Sequence, residues 1–503
     1  MRIAAVVLVS LLSGLAGCAS LPSHVVRDRT VALFPGPGTR LGRLVANSAE
    51  PSQLSGIRLL VSGEEALQSL ITLADNAERT LDIQYYIISQ DASGRQLLRH
   101  VRAAAERGVR VRILVDDLNT AGEDRRFLSL GASPHIEVRL FNPFAGGRLA
   151  LWSRFLFALN DIPRINHRMH NKLFIADNAL AVTGGRNIGD EYFVRGAQSN
   201  FIDLDVIAAG PVVPQLSMSF DSFWNSRYAY PIGSLTREHA SAPAVAVSEE
   251  PRAATDADWL ARDLDADRLT LQWMPASVLA DRPTKISADT AESDMETIAD
   301  NIASLMRSAK QEVLVISPYF VPGKEGVALM RQLRAQGVRI RILTNSLAST
   351  DSPLVYDGYS HYRRELLRLG VELYEVRPRL GDRRSRFHPF HQSQASLHAK
   401  ALVIDGRTVF IGSLNMDSRS RHTNSELGLV MRSPDIARQV ASLFDDISAD
   451  GSYRLSLTGK EEILEWRCEE EGVMRSWRQD PGAGALKRLW LGILAPFAPE
   501  ELM

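Results

Sequence analysis

Two stretches of this chain follow one pattern: His170-Asn171-Lys172-Leu173-Phe174-Ile175-Ala176-Asp177 and His398-Ala399-Lys400-Ala401-Leu402-Val403-Ile404-Asp405. In both, a lysine follows the histidine by two residues, an aspartate by seven, and an asparagine (Asn187 or Asn415) by seventeen. One such match has little weight, because three residue types at fixed offsets arise by accident. Two copies with the same asparagine offset indicate an internal duplication.

Each copy is predicted to form a β-hairpin. The apolar runs at 173–176 and 401–404 are followed by the turn dipeptides Asp177-Asn178 and Asp405-Gly406, after which apolar residues resume. This pattern is typical of two strands joined by a tight two-residue turn. Residues two apart on a strand face the same side, so each histidine points the same way as its lysine. An imidazole beside a fixed cation suits a phosphate, whose oxygens the lysine holds while the histidine attacks phosphorus or moves a proton.

The candidate catalytic residues are the six motif residues His170, Lys172, Asp177, His398, Lys400 and Asp405. A lone histidine near the start of a strand usually has a structural role, but the duplication favours a functional one here. The two aspartates complete the motif, yet their turn positions favour bonds to nearby backbone. We therefore expect Asp177 and Asp405 to shape their hairpins rather than to touch substrate.

The elements around the two motifs repeat as well. The first half has predicted strands at 80–88, 109–115 and 137–141, with helices at 65–78 and 94–107. The second half has predicted strands at 312–317, 337–343 and 371–376, with helices at 300–308 and 327–335. This β-α-β order indicates a largely parallel core in each half. The predicted fold is α/β, with two similar halves packed as a pseudo-dimer around one active-site cleft.

Composition and charge set the domain organisation and exclude one class of function. The chain has 503 residues, of which 45% are hydrophobic and 23% charged, with a formal net charge of −1. This is an ordinary globular composition without the basic excess of a general nucleic-acid binder.

We expect a signal peptide at 1–18, a tether at 19–55, half 1 at 56–238, a linker at 239–296, half 2 at 297–450 and a membrane-associating tail at 451–503.

The first residues are predicted to be a targeting segment. Arg2 precedes an apolar stretch at 3–12 that is too short to span a bilayer. The run Leu15-Ala16-Gly17-Cys18 resembles the bacterial lipoprotein signal, in which cleavage leaves a lipidated cysteine at the N-terminus. The alternative is an ordinary secretory signal with a chance cysteine. Because Ala19 follows the cysteine, the resemblance favours a periplasm-facing lipoprotein of the bacterial cell envelope, in the outer rather than the inner membrane.

Two further segments each leave two interpretations open. Residues 377–391 carry five arginines and two histidines, and they form either a basic loop that attracts anionic headgroups or a merely solvated loop. No thiol or carboxylate completes a zinc site around His388 and His391, so no metal is expected. Residues 149–159 carry Trp152 and Phe155 beside Arg154, which suits either an interfacial membrane element or a buried core helix. Residues 486–497 have a similar composition.

The paired motif resembles that of the phospholipase D superfamily, and the resemblance covers both halves. More narrowly, the chain is similar to bacterial cardiolipin synthases of the C type, through the stretches 81–87, 138–144, 184–192 and 370–375. The resemblance implies that His170 attacks phosphorus and forms a phosphohistidine. It implies that His398 protonates the leaving alcohol and then activates the incoming one. No metal and no cofactor are implied.

The resemblance also implies roles for residues outside the two short motifs. Asn187, Ser413 and Asn415 match phosphate-binding positions. A carboxylate downstream of each motif orients a histidine, and these are Asp203 and Glu426, since 203–211 aligns with 426–434 without a gap. Gly185 stands where Ser413 stands in the second half, so one hydroxyl contact to phosphate is expected to be missing.

These observations favour a phosphatidyltransferase that makes cardiolipin from phosphatidylglycerol and a second phospholipid, such as phosphatidylethanolamine. The alternative enzyme is a hydrolytic phospholipase D that releases phosphatidic acid. The lipid anchor and the near-neutral charge disfavour a nuclease, and the two intact His/Lys pairs disfavour a lipid-binding protein without catalysis. The expected partners are phospholipids and, through Cys18, a membrane, but no nucleic acid. The need for an accessory protein is left open.

Overall fold

The computed structural model describes residues 20–48, 53–236, 255–287, 296–379, 394–470, 472–484, 487, 488 and 491. The signal segment with Cys18, most of the predicted basic loop and most of 486–497 lie outside the described residues. Among the helices that are described, none has the length and apolar character needed to cross a membrane.

The first half begins with a helix and continues as alternating strands and helices. Its strands are β1 (Ser55–Leu60), β2 (Thr80–Tyr85), β3 (Arg110–Asp116), β4 (Ile136–Phe141), β5 (Arg168–Met169), β6 (Leu173–Ala176), β7 (Leu180–Gly184), β8 (Ser199–Ile202), β9 (Asp205–Ala209) and β10 (Ala229–Pro231). Its helices are α1 (Arg40–Ser48), α2 (Gly63–Asn76), α3 (Ala92–Glu106), α4 (Asp124–Gly131), α5 (Leu151–Phe157), α6 (Ile162–Ile165) and α7 (Val212–Trp224).

The remainder of the chain repeats this order after a connecting region. The connection contains α8 (Trp259–Asp265), β11 (Gln272–Met274) and β12 (Ala276–Ala280). The later strands are β13 (Glu312–Ile316), β14 (Arg339–Asn345), β15 (Glu372–Val376), β16 (Gln394–Leu397), β17 (Ala401–Ile404), β18 (Thr408–Gly412), β19 (Asn424–Ser425), β20 (Leu427–Arg432), β21 (Ser452–Thr458), β22 (Ile463–Glu470) and β23 (Val473–Trp477). The later helices are α9 (Ile298–Arg307), α10 (Gly323–Ala335), α11 (Pro353–Ser360), α12 (Arg363–Arg368), α13 (Ser418–His422) and α14 (Pro434–Asp450).

Each half is built on one large mixed sheet. The first sheet has the strand order β10-β4-β3-β2-β6-β7-β9-β1-β11, and the second has β12-β20-β18-β17-β13-β14-β15-β21-β22-β23. Strands β2, β3 and β4 are parallel, as are β13, β14 and β15, and the hairpin strands join them in antiparallel fashion. The duplicated α/β architecture predicted from the sequence is therefore confirmed.

Both motif hairpins form as predicted. Strand β6 pairs with β7 and β17 pairs with β18, each in antiparallel register. The turn residues Asp177 and Asn178 have φ angles of 52° and 51°, and Asp405 and Gly406 have 50° and 60°. Positive φ at both central residues is the conformation that tight hairpins require, and aspartate, asparagine and glycine adopt it most readily.

The two sheets pack face to face across a shared apolar core. This core includes Leu173 from the first sheet and Val403 from the second, together with Phe220 of α7 and Phe444 of α14. All four are buried. Separate clusters fill the space between each sheet and its outer helices. Because removal of this apolar surface from water favours association, the halves form a single body, which confirms the predicted pseudo-dimer.

The predicted tether is packed against the first half from Arg27 onward. The Arg27 Nε donates a hydrogen bond to the Ala229 carbonyl (2.8 Å), and the Trp224 Nε1 donates to Thr30 Oγ1 (2.9 Å). Helix α1 then buries Leu41 completely. A free tether is therefore wrong for these residues, since their partners lie far away in sequence and leave no local pattern.

The predicted linker and the predicted end of the second half also differ from the structure. The linker contributes a strand to each sheet, because β11 pairs with β1 and β12 pairs with β20. The second half does not end at residue 450, because β21 pairs with β15 and continues the sheet through β22 and β23. Within β22 the buried residues Leu464, Trp466 and Cys468 alternate with more exposed neighbours, which is a strand pattern rather than that of a tail.

Candidate active site

A short ladder between the halves places His170 beside Glu426. Strand β5 pairs with β19 in parallel, so Met169 lies opposite Ser425. The residue that follows β5 is His170, and the residue that follows β19 is Glu426. The His170 backbone N–H donates to the Ser425 carbonyl (2.9 Å), and its side-chain Nδ1 lies 3.0 Å from Glu426 Oε2. The ladder thus fixes both the main chain and the imidazole of the first motif histidine.

A second ladder does the same for His398. Strand β8 pairs with β16 in parallel, with Ile202 opposite Leu397. The His398 backbone N–H donates to the Ile202 carbonyl (2.8 Å), and its Nδ1 lies 2.6 Å from Asp203 Oδ2. Each carboxylate therefore contacts the histidine of the other half and not that of the motif it follows. Because Nδ1 of each ring faces a carboxylate, Nε2 is the atom left for substrate.

The two motif lysines lie against the main chain of their histidines. The Lys172 Nζ donates to the His170 carbonyl (2.7 Å), and the Lys400 Nζ donates to the His398 carbonyl and lies 3.0 Å from His398 Nδ1. Both lysines are buried. The predicted orientation of each lysine with its histidine is confirmed by these contacts.

Burial and neighbouring cations depress the pKa of both histidines. Burial, reinforced by the Lys172 ammonium, lowers the pKa of His170 to about 4, against the opposing effect of Glu426. Burial and the Lys400 ammonium likewise lower the pKa of His398, and Asp203 opposes them. The charge of Lys400 also acts on His170, and that of Lys172 on His398, so the two pairs occupy one electrostatic environment. A neutral imidazole is the form that can attack phosphorus.

The carboxylates remain ionised in spite of burial. Burial alone would raise the pKa of Asp203, but His398 and Lys400 lower it to about 2. Burial would likewise raise the pKa of Glu426, but His170 and Lys172 lower it below its ordinary value. Burial also lowers the pKa of Lys400 to about 8. Burial and the Lys400 charge lower the pKa of Lys172 well below its ordinary value. The site therefore holds fixed negative charge behind the imidazoles, and a bound phosphate favours the charged form of the lysines beside them.

The two motif asparagines have different surroundings. Asn187 accepts a hydrogen bond from the Ile87 N–H at Oδ1 (3.2 Å) and donates from Nδ2 to the Tyr192 hydroxyl (3.0 Å). Asn415 is equally buried, but among the described residues its Oδ1 has no hydrogen-bond partner. The asparagine of the second half thus carries a buried acceptor that none of the described residues satisfies.

Ser413 and Gly185 differ for a reason that the sequence did not reveal. The Ser413 hydroxyl donates to Glu426 and accepts from the Leu427 N–H (3.0 Å), so it positions the carboxylate; the sequence predicted a phosphate contact instead. At Gly185 an added Cβ would collide with Asp203 Oδ1. Glycine at this position therefore leaves room for the carboxylate that holds His398.

Asp177 and Asp405 lie at the hairpin turns, apart from the histidines. Asp177 accepts hydrogen bonds from the N–H groups of Glu78, Arg79 and Thr80. Asp405 accepts from the N–H groups of 310, 311 and 312 in the same way. Their membership of the candidate catalytic set is therefore wrong, and the expected structural role is the one observed: each ties its hairpin to the start of a parallel strand.

Aromatic side chains that the sequence reasoning missed surround both histidines. Tyr86 contacts His170 edge-on, with ring centroids 5.2 Å apart. Tyr192 and Phe201 contact His398 at 5.2 and 5.0 Å. Two of the three fall inside stretches that carry the family resemblance, and that was the available signal. Their rings exclude water from the imidazoles, which strengthens the charge effects described above.

Helix α5 and the residues on either side of it expose apolar side chains, and we call this set the apolar face: Leu149, Leu151, Trp152, Phe155, Leu159 and Ile162. Trp152 is 73% exposed, so the alternative of a buried core helix is wrong. The helix is held by Arg154, which is fully buried and pairs with Asp117 (3.3 Å). The adjacent Asp116 accepts a hydrogen bond from the N–H of Met169, the residue before His170. The apolar face is therefore firmly linked to the wall of the site.

Each duplicated α/β half supplies one His/Lys pair, and a carboxylate of the other half holds the histidine. This arrangement defines the phospholipase D class of phosphoryl-transfer proteins. The family described as "Cardiolipin synthase, PLD-like domain" matches residues 70–224 and 302–448. The chain belongs to this family and is a phospholipase D-type enzyme.

Relatives agree with this assignment, and one solved structure shares the fold. The chain is 37% identical over 470 residues to cardiolipin synthase C of Escherichia coli strain K12, covering 90% of this chain and 97% of that protein. It is 27% identical to a cardiolipin synthase of Geobacillus kaustophilus, covering 78% of this chain and 66% of that protein. The crystal structure of phosphatidylserine synthase from Haemophilus influenzae has the same fold, with a TM-score of 0.55 at 14% identity over 91% of this chain and 98% of that one.

Proposed function

We propose that this protein is a phosphatidyltransferase that makes cardiolipin from phosphatidylglycerol and a second phospholipid, through a phosphohistidine on His170. The observation that carries the proposal is the pair of buried histidines, each held at Nδ1 by a carboxylate of the other half. Two imidazoles with free Nε2 atoms supply a nucleophile and a proton donor to one phosphate. The similarity to cardiolipin synthase C of E. coli supports the choice of lipids.

The first step breaks the bond between phosphorus and the headgroup oxygen of the donor lipid. Nε2 of His170, neutral at pH 7 because its pKa is about 4, attacks phosphorus. His398 gives a proton to the departing oxygen, and the headgroup alcohol leaves. The negative phosphate between the rings favours the protonated form of His398, and Asp203 stabilises that imidazolium.

The second step returns the site to its starting state. His398, now neutral, takes the proton of the terminal hydroxyl of phosphatidylglycerol. The alkoxide oxygen attacks phosphorus, the bond to His170 breaks, and cardiolipin is released. Lys172 and Lys400 balance the phosphate charge in both steps, which is most effective where water is excluded.

Transfer rather than hydrolysis rests on which hydroxyl reaches the intermediate. In a hydrolytic phospholipase D, water would take the place of phosphatidylglycerol and release phosphatidic acid. The apolar face near the site offers a contact to a bilayer, where a lipid alcohol is concentrated and oriented relative to bulk water. This surface favours the transferase.

The test is the lipid product ratio on defined vesicles. Purified protein is added to vesicles of phosphatidylglycerol and phosphatidylethanolamine, and the products are quantified by mass spectrometry. We expect cardiolipin as the main product, and none with the His170→Ala control. Phosphatidic acid as the dominant product at every vesicle composition would replace this proposal with the hydrolase.

The proposed location is the periplasmic side of the envelope, with Cys18 carrying the lipid anchor. Dual or triple acylation buries enough methylenes, at about 0.8 kcal/mol each, for stable attachment. Cys18→Ser should release the mature protein or leave its signal uncleaved. Mass spectrometry of the mature N-terminus decides the point, since an unmodified first residue other than Cys18 contradicts lipidation.

A further inference from the structure

The second half contains a cavity beside the loop that follows its motif hairpin. It has a volume of about 470 Å³ and lies between helices α9 and α10 and the chain from Leu414 to His422. Its wall is mostly apolar, with Ile302, Met306 and Leu329 among the lining side chains. Volumes of this size and character are typical of sites for small apolar ligands.

The internal duplication allows the wall of the cavity to be compared with the first half. The hydrogen bonds from Thr80 to Asp177 and from Glu312 to Asp405 fix the alignment of the halves. In that alignment Ala299 replaces Leu67 and Ala303 replaces Ile71; both larger residues are buried in the first-half core. The second half thus has alanines at 299 and 303, while its larger side chains Ile298 and Met306 stand where the first half has Ala66 and Ala74.

A third replacement and a helix end enlarge the space. Phe193, buried in the first half, corresponds to Arg421, because each follows its motif histidine at the same distance. Arg421 pairs with Glu325 (2.5 Å) at the protein surface instead of filling the core. Helix α9 also begins later than α2, since the Thr297 capping box starts it at Ile298. The cavity is therefore built into the chain.

The cavity adjoins the active site. Asn415, a motif residue, forms part of its lining, and its buried Oδ1 has no hydrogen-bond partner among the described residues. Asp417 lines it too, and burial raises the pKa of this carboxyl to about 7, so much of it is uncharged at neutral pH. From these two residues the lining continues to the exposed Lys324 at the surface.

We propose that this cavity receives one acyl chain of the phospholipid substrate, while Asn415 contacts the polar part of that lipid. The inference deepens the proposed function and rests on it. The occupant follows from the apolar wall and from the continuity of the lining with Asn415, which stands at a position expected to bind phosphate. The buried Oδ1 of Asn415 has no partner among the described residues, and a small rotation of the side chain would bring it to a lipid hydroxyl or ester group.

The decisive variant fills the cavity with the residues of the first half. Ala299→Leu combined with Ala303→Ile should be tolerated by the fold, because the same side chains pack at the equivalent positions of α2. Ser304→Ile, on the exposed side of α9, is the matched control. Activity is measured on mixed micelles at constant surface concentration, with substrates whose acyl chains run from hexanoyl to oleoyl.

We expect wild-type kcat/KM to rise with chain length, since each buried methylene contributes roughly fourfold in affinity. The filled variant should lose at least tenfold on the long-chain substrate and stay within twofold on the hexanoyl one, and the control should match the wild type. In the wild type, a phospholipid with a photoreactive group at one acyl end should label peptides of α9 or α10.

Each outcome bears on one proposal. If the wild type transfers no phosphatidyl group from any substrate, the proposed function fails. If the wild type is active, an unchanged chain-length profile in the filled variant overturns the acyl-chain site. Labelling confined to peptides outside α9, α10 and 414–422 also overturns it, including the case in which another segment of this chain occupies the cavity.

Discussion

Oε2 of Glu426 lies 3.0 Å from Nδ1 of His170, although 256 positions separate the two residues. The reciprocal contact joins Asp203 to His398 at 2.6 Å. Each histidine thus belongs to one half of the chain and its carboxylate to the other. Since a carboxylate fixes the tautomer and stabilises the imidazolium, neither half contains a complete acid–base unit.

The crossed pairing predicts how Glu426→Gln changes the pH profile. Its carboxylate raises the pKa of His170 against burial and Lys172, so its removal should lower that pKa below about 4. The acid limb of kcat/KM, where His170 becomes protonated and can no longer attack, should therefore move to lower pH, with a loss of roughly 10²-fold in rate. Asp203→Asn should also slow the enzyme but leave this limb in place. Movement in Asp203→Asn alone would reverse the assignment of nucleophile.

A second prediction concerns covalent trapping. His170→Ala and His398→Ala should each reduce turnover to background, because nucleophile and acid act as a unit. With phosphate-labelled phospholipid, His398→Ala should still accumulate label on His170, while His170→Ala should take up none. Peptide mapping locates the label. Substantial turnover in either single variant would contradict a single shared site.

Gly185 and Ser413 provide a matched pair of substitutions. Gly185→Ser should displace Asp203 from His398 and lower kcat by roughly 10²-fold, because its Cβ would occupy the place of that carboxylate. Ser413→Gly removes a single hydrogen bond to Glu426 and should cost about tenfold or less. Circular dichroism shows whether each variant is folded. Equal, small losses in both would mean that Gly185 tolerates a side chain.

Sequence reasoning succeeded where the signal is local. The hairpins follow from alternating apolar runs and turn dipeptides, and the site histidines from repeated spacing. It failed at the crossed pairing, because β5 and β19 are two-residue strands without a period of their own. It failed also at residues 27–48, where contacts such as Thr30 with Trp224 join distant parts of the chain. The alternation in β22 is itself a local signal for a strand, although the apolar residues beyond it favour a membrane-associating tail.

Asp405→Ala should reduce stability and leave the chemistry intact. The variant leaves the backbone N–H groups of Lys310, Gln311 and Glu312 without their carboxylate acceptor. Loss of such a cluster costs about 1–3 kcal/mol of unfolding free energy. Thermal unfolding should shift down by a few degrees, while kcat per folded molecule stays within twofold of the wild type. A loss of kcat comparable to that of His398→Ala would restore Asp405 to the catalytic set.

The apolar face is expected to contact membranes independently of the N-terminal lipid and of catalysis. Trp152→Ser with Phe155→Ser should weaken sedimentation with vesicles several-fold in protein prepared without the N-terminal lipid, because two exposed apolar side chains are lost. Turnover of short-chain monomeric phospholipid should not change. Met218→Ser, at another exposed apolar position, is the control. Equal vesicle binding in all three proteins would exclude α5 as the contact.

The crossed carboxylates also make activity depend on the docking of the two halves. A chain exported behind a signal peptide, as proposed here, folds after translocation. Until the halves dock, His170 lacks the carboxylate of Glu426 and the phosphate lacks a second imidazole. We therefore expect a chain truncated before the second half to be inert toward phospholipids. Because each half supplies a group that the other lacks, the site is complete only when both halves are folded and docked.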